Sequence, residues 1–235
     1  MTISLLVACG GSSNPSNITP RPIVDKVTIT FDFNQGIDDW IAGFADYPIG
    51  EEFFYELSSN FEQLPSPLEN QSGFFLSGNN HSDDLFMFIK KSFTNFKPNS
   101  RYQIQFEITF ATNAPKNCAG AGGPPGEGVI IKAGASVIEP LAMNNGSGSY
   151  LMNIDKGNQS VGGSDAMVIG DFSNSKNCGM QDFSYELKTL NNDGNLFTVQ
   201  TSDSGTLWMT FSTDSGFEST TGIYYLRGKI VSTEF

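Results

Sequence analysis

The densest group of side chains able to do chemistry is His81-Ser82-Asp83-Asp84, which follows Asn80 and holds the single histidine of the chain. An imidazole beside two carboxylates has its charged form favoured. Such a cluster suits general acid or base work, or a metal held by one nitrogen and two oxygens. The same residue types are also turn formers, and they equally suit the loop that opens a buried strand at Leu85. With one histidine, any Ser-His-Asp or Cys-His arrangement must pass through His81. A Gly-x-Ser-x-Gly elbow does not occur, and a histidine-rich zinc site is excluded by count. Glycoside hydrolysis needs only two carboxylates, for which Asp83, Asp84, Glu107 and Glu139 are the candidates. A second polar group, Asp155-Lys156-Gly157-Asn158-Gln159, puts both signs of charge and two amides on a glycine-flexed loop. Each of these groups can donate to or accept from a sugar hydroxyl. A third, from Thr213 to Glu218, supplies Asp214 and Glu218 but lacks the carboxylate spacing of an EF-hand loop. The expected ligand-binding set is therefore Asn80, His81, Asp83, Asp84, Asp155, Lys156, Asn158, Gln159, Asp214 and Glu218. The glycine-rich stretch 120–128 lacks the Gly-Lys-Ser/Thr ending of a phosphate loop, and its prolines remove amide donors.

The elements that must position these loops are strands. Residues 102–110 alternate without a fault: Tyr102, Ile104, Phe106, Ile108 and Phe110 face one way, and Gln103, Gln105, Glu107 and Thr109 the other. Segment 85–91 (Leu85-Phe86-Met87-Phe88-Ile89-Lys90-Lys91) is nearly continuous and is expected to be buried on both faces. Further strands are expected over 27–33, 53–57, 73–78, 129–133, 150–154, 166–169, 184–190, 197–200, 207–211 and 223–231. Turns are expected at 202–205 and 213–216. No helix-period segment exceeds about two turns. The even succession of short strands with Gly-rich turns predicts an all-β sandwich or barrel. Trp40, Trp208, Tyr224 and Tyr225 suit either the core of such a fold or stacking on sugar rings.

Composition narrows the partners. The formal net charge is −12, with 16% charged residues and 20 phenylalanines. An acidic surface repels phosphate backbones, which argues against nucleic acid and against docking by charge on anionic lipid. Acidic loops do suit Ca²⁺. No run of 18 or more apolar residues occurs.

The start of the chain resembles a bacterial lipoprotein signal. The short apolar run Ile3-Ser4-Leu5-Leu6-Val7 leads through Ala8 to Cys9, then Gly10-Gly11-Ser12-Ser13. The run is too short to span a bilayer, and no basic residue precedes it, as in a signal whose start is misassigned or trimmed. The resemblance implies a signal peptide over residues 1–8 and lipidation of Cys9. It further implies a flexible tether over 9–23 and an address in the cell envelope, at the outer membrane or cell surface. The membrane link would then be the Cys9 lipid alone. With Cys9 so accounted for, Cys118 and Cys178 remain as a pair in an exported chain, and a disulfide is the natural reading.

Three further segments resemble the galactose-binding-like jelly rolls found in carbohydrate-binding modules. They are Phe31-Asp32-Phe33-Asn34-Gln35-Gly36 with Trp40, the stretch from Lys90 to Tyr102 that leads into the alternating strand, and Tyr224-Tyr225 on the last strand. The resemblance implies a single jelly-roll β-sandwich of two antiparallel sheets over residues 24–235. It also implies a structural Ca²⁺ held by acids on the first and last strands. Asp32 fills the first role, and Arg227 stands where the second acid would be. The segments 78–84, 153–159 and 213–218 are also similar to those of exported bacterial proteins with no attached activity.

The leading functional expectation is a lipid-anchored binding module for carbohydrate or a similar polyhydroxylated ligand, with Ca²⁺ as a possible aid. The alternatives are a polysaccharide hydrolase or lyase using His81 and the carboxylates, and a structural or adhesion lipoprotein with a protein partner.

Overall fold

The computed structural model describes residues 25–235, so Cys9 and the signal and tether expected before residue 24 lie outside the described residues. Fifteen strands follow in order: β1 (Lys26–Asp32), β2 (Ile41–Ala45), β3 (Tyr47–Pro48), β4 (Ser58–Gln63), β5 (Ser72–Asn79), β6 (Leu85–Phe93), β7 (Arg101–Thr112) and β8 (Val129–Ser136). After them come β9 (Ala142–Asn144), β10 (Ser149–Met152), β11 (Ala166–Asp171), β12 (Glu186–Asn191), β13 (Phe197–Gln200), β14 (Leu207–Ser215) and β15 (Thr220–Glu234). They form two main antiparallel sheets and a small third one. Sheet 1 has the order β12-β7-β15-β5-β4, with β1 also paired to β15 and β13 to β7; sheet 2 has the order β11-β8-β14-β6-β2. Sheet 3 has the order β3-β10-β9. The chain crosses from sheet 1 to sheet 2 between β5 and β6, returns at β7 and crosses again at β8. This is the jelly-roll sandwich expected from the strand pattern.

The alternation in β7 explains the main core. Tyr102, Ile104, Phe106, Ile108 and Phe110 all point inward and are buried, where they meet Leu85, Met87 and Ile89 of β6 and Leu207, Met209 and Phe211 of β14. The Phe211 ring lies 5.7 Å from Phe31, 6.1 Å from Trp40 and 6.0 Å from Phe106. Trp40, Tyr224 and Tyr225 are buried, so they are core aromatics and are not available to stack on a sugar. Trp208 is half-buried, with the Lys90 ammonium 5.4 Å from its ring centre.

β6 is buried on both faces, and the structure accounts for this. Leu85, Met87 and Ile89 enter the main core, while Phe86 and Phe88 join Ala45 in a second cluster under Ala142 of β9 and Met152 of β10. Sheet 3 therefore covers part of the outer face of sheet 2.

Two expectations change. The segment 53–57 is a tight turn and not a strand: Tyr55 N donates to Glu51 O at 2.8 Å and Leu57 N to Glu52 O at 3.1 Å. Of its three aromatics only Tyr55 is buried, so the segment has no alternating apolar face to hold it in a sheet. The neighbouring strand is instead β4, a polar edge strand. The turn expected at 213–216 is also displaced. β14 continues through Ser215, which places Asp214 inside a buried strand.

Cys118 and Cys178 form a disulfide with Cα atoms 5.1 Å apart. Lys116 N donates to Lys176 O and Cys178 N to Lys116 O, each at 2.9 Å, so the two Lys-Asn-Cys tripeptides lie side by side. Among the described residues no helix is long and apolar enough to cross a membrane.

Truncating a side chain at the aromatic centre leaves a cavity that the two sheets cannot collapse around. Phe211→Ala is expected to lower the unfolding free energy by about 3–5 kcal/mol in urea titrations. Phe53→Ala, at a residue 96% exposed, is expected to change it by less than about 0.5 kcal/mol.

Candidate functional site

Five charged side chains meet on the covered outer face of sheet 2. Asp214 projects there from β14, and its cross-strand neighbours are Phe86 on β6 and Ile130 on β8. Lys132 comes from β8, two residues beyond Ile130 on the same face. Asp46 follows the end of β2 with φ at 65°, and Asp84 stands immediately before β6. Lys156 enters from the loop between β10 and β11, its ammonium 4.9 Å from the centre of the Phe86 ring.

The hydrogen bonds fall unevenly. Asp214 Oδ2 accepts from Lys132 Nζ at 2.7 Å, from Lys156 Nζ at 3.0 Å and from Gln159 N at 3.0 Å. Lys132 Nζ also donates to Lys156 O at 2.9 Å and Val161 O at 3.1 Å, which satisfies all three of its protons. Lys156 Nζ completes an ion pair with Asp46 Oδ2 at 2.8 Å. By contrast, Asp214 Oδ1 and Asp84 Oδ1 are both buried and receive no hydrogen bond. Asp46, Asp84 and Asp214 each present an oxygen within 4.8 Å of the others. Above this group opens a cleft of about 230 Å³, lined by Asp46, Asp84, Leu151, Met152, Ile154, Asp155, Lys156, Gly157 and Asn158.

Burial and the neighbouring charges of Asp46 and Asp214 push the Asp84 carboxyl up to about 7, against the pull of Lys156. Burial likewise raises Asp46 despite its ion pair with Lys156. Burial opposes the Lys156 ammonium, but Asp214 and Asp46 outweigh it and hold that group above its ordinary value. Burial lowers Lys132 in spite of Asp214.

The structure brings together Asp84, Lys156, Gln159 and Asp214 of the residues expected from sequence. Asp83 adjoins them, because Gln159 Nε2 donates to Asp83 O at 2.7 Å. Asn158 is exposed on the cleft wall. Asp155 shares that wall, but its carboxylate accepts from Gly157 N at 3.1 Å and Ser164 N at 2.8 Å, which shapes the loop. Gly157 has φ at 69°, and a Cβ there would sit 2.1 Å from Val161 O, so the loop requires glycine. Asn80 is buried and braces the base of the cluster, donating to Ser215 O at 2.8 Å and Phe217 O at 3.1 Å. Glu218 lies exposed beside Gly122 and does not line the cleft.

Other expected residues stand elsewhere. His81 stacks on Phe54 with ring centres 4.0 Å apart, meets Tyr55 edge-on and hydrogen-bonds Phe54 O at 3.1 Å. Glu107 is on the exposed face of β7 in sheet 1. Glu139 is paired with Lys90 at 2.7 Å, six residues along β6 from Asp84. Asp32 lies opposite Arg227 in the β1–β15 ladder, and its Oδ1 accepts from Asn34 N at 2.9 Å. One carboxylate already capping a turn, and facing a guanidinium-bearing residue, does not make the set of six to eight oxygens that Ca²⁺ takes. The Asp46–Asp84–Asp214 group is a poor Ca²⁺ site for a different reason: two ammonium groups already stand within 3.0 Å of its carboxylates.

Asp46 and Lys132 were not expected from sequence. Lys132 had a signal, a lysine inside the apolar run Val129-Ile130-Ile131-Lys132-Ala133, since a charge in a buried strand must find a partner.

No family model matches the chain, and no curated protein matches it. Among solved structures, it is similar to a family 11 carbohydrate-binding module from Clostridium thermocellum in complex with a β-1,3-1,4-mixed-linked tetrasaccharide. That match has 10% identity, 86% of this chain, 94% of that chain and a TM-score of 0.36. It is also similar to the K3 cleaved adhesin domain of Lys-gingipain from Porphyromonas gingivalis W83, with 12% identity, 88% of this chain, 99% of that one and a TM-score of 0.35. A third match is the enzymatically active domain of bacteriophage CBA120 tailspike protein 4, with 8% identity, 81% of this chain and a TM-score of 0.34; there the chain spans only 19% of the other. The matches are too distant to transfer a site, and the cluster above rests on this chain's own residues.

The raised Asp84 carboxyl gives a signed pH dependence. The folded protein holds a proton up to about pH 7 that the unfolded chain releases near pH 4. This contribution to stability therefore falls as pH rises from about 4 to 7 and is level above that. Asp84→Asn is expected to flatten the slope and to melt above the unsubstituted protein at pH 8, while the two converge near pH 4.5. Differential scanning calorimetry across this range checks it, and an unchanged slope in the variant would contradict it.

Proposed function

We propose that this chain is a carbohydrate-binding module whose ligand enters the cleft over Asp46, Asp84 and Lys156. The observation that carries the reading is an open cleft lined by Asp84, whose buried Oδ1 receives no hydrogen bond, with the fully buried Asp214 beneath it also keeping one oxygen without a donor. Buried acceptors left unmatched are costly, and a ligand rich in hydroxyl donors relieves that cost. Asn158 adds an amide able to donate and accept, and Leu151, Met152 and Ile154 offer apolar surface to the C–H face of a sugar ring. The cleft is smaller than the roughly 300–1,000 Å³ of sites that enclose a drug-sized ligand, so it suits one ring or a chain end. The net charge of −12 favours a ligand without carboxylate or sulfate groups.

The test is a glycan array followed by calorimetric titration, each with and without Ca²⁺. A neutral or amino-bearing oligosaccharide is expected to bind, and Asn158→Ala to weaken it about tenfold, the loss of one hydrogen bond. The absence of binding to every glycan, in both conditions, would overturn the reading.

One observation favours hydrolysis at the same cleft: Asp84 is a carboxyl that keeps its proton near neutral pH, as a general acid must. Asp46 and Asp214 are tied to Lys132 and Lys156, and the Asp155 carboxylate on the cleft wall is spent on the backbone N–H groups of Gly157 and Ser164, which makes binding the better-supported reading. Release of reducing ends from a bound glycan, lost in Asp84→Asn, would reverse that order.

The module is further proposed to be exported and anchored in the cell envelope through lipid on Cys9. The Cys118–Cys178 disulfide supports an oxidising compartment. Metabolic labelling with palmitate is expected to mark the full chain and to fail for Cys9→Ser.

A further inference from the structure

The cluster under the cleft has an odd charge count. Asp46, Asp84 and Asp214 face Lys132 and Lys156, so with every group ionised the site is one positive charge short. The deficit is local. Lys132 spends its protons on Lys156 O, Val161 O and Asp214 Oδ2, and Lys156 reaches Asp46 and the same Asp214 oxygen. Neither lysine hydrogen-bonds Asp214 Oδ1 or Asp84 Oδ1. Asp214 is fully buried, and both of those oxygens are without a donor. The remaining charged neighbours do not supply the missing charge. Asp155 on the cleft wall and Asp83 beyond Gln159 are both acidic, and the His81 ring is engaged by Phe54 and Tyr55.

What is needed is one unit of positive charge carried on a hydrogen donor. A neutral hydroxyl satisfies an oxygen but leaves the charge. A divalent ion overshoots by one charge and must lie beside two ammonium groups. A uronate or sulfated sugar adds to the repulsion. An ammonium meets both conditions, and Leu151, Met152 and Ile154 supply an apolar wall for the ring that carries it. Building on the carbohydrate reading above, we infer that the cleft selects an amino sugar, a 2-amino-2-deoxyhexose unit whose ammonium pairs with Asp84 at the cleft lining and so balances the charge that the buried Asp214 beneath it adds. In the free protein a proton on Asp84, whose carboxyl lies within 4.8 Å of those of Asp46 and Asp214, fills the same place. Ligand ammonium and proton therefore compete, and binding expels the proton.

Calorimetric titration of the full chain at pH 6 tests this, with three probes: a glucosamine trisaccharide, its N-acetylated counterpart and a neutral β-1,3-1,4-linked tetraglucan. Each is run in two buffers of different ionisation enthalpy. The free amine is expected to bind at least tenfold more tightly than the acetylated form. Its heat is expected to shift between buffers by the amount that release of a proton requires. Asp84→Asn, which removes the charge deficit, is expected to lose the preference, and the buffer dependence of the unsubstituted protein tests the idea even if that variant folds poorly. Equal affinity for amine and acetamide, or heat independent of buffer, overturns the inference. If the tetraglucan still binds in that case, the carbohydrate reading survives without it. If none of the three binds, the amino-sugar inference falls, and the array decides the wider reading.

Discussion

The outer face of sheet 2 is held by one buried carboxylate. Asp214 stands near the end of β14 with no exposed surface, and Lys132, Lys156 and the Gln159 amide converge on its Oδ2 to compensate its burial. Those contacts also fix what lies above. Lys132 pins the carbonyls of Lys156 and Val161, and so ties the loop between β10 and β11 to the sheet. Asp46, at the end of β2, is drawn in through Lys156. An apolar face at this place would need no such loop, and without the loop the cleft would have no wall.

This interaction separates two kinds of residue on one strand. β14 carries Leu207, Met209 and Phe211 into the aromatic core, where dispersion and burial hold the sheets together. Its opposite face carries Thr210, Ser212 and Asp214, all buried, beside Phe86 and Phe88 of β6 on the face that sheet 3 partly covers. Stability and ligand chemistry thus use alternate residues of the same backbone, so a substitution on one face leaves the other side chains in register. Burial, and after it the acidic excess of the cluster, raises the Asp84 carboxyl, and this is a standing tension in the folded protein.

The sandwich was readable because its core strands obey a two-residue period. Segment 102–110 alternates without a fault, and segment 85–91 is apolar throughout because β6 has a core on each side. The turn at 53–57 was misread because Phe53, Phe54 and Tyr55 carry strand propensity with nothing to pair against. Asp214 was assigned to a turn because Thr213-Asp214-Ser215 has turn composition; Lys132 on the neighbouring strand, with Lys156 and the Gln159 amide from the loop, makes a buried aspartate tolerable there. Part of the site was visible in the polar groups at 83–84 and 156–159, while Asp46 and Lys132 came from strand neighbours that no local spacing connects. His81 drew attention as the single imidazole, yet it serves an aromatic stack.

β15 gives the fold an order of assembly. Its residues pair with β1, β5 and β7, and every one of those strands is synthesised before it. Sheet 1 therefore has no centre until β15 has been made, and its pairings join residues as far apart as Lys26 and Thr233. Contacts so distant in sequence close slowly. The central strand of sheet 1 thus joins its partners only after all of them have been made.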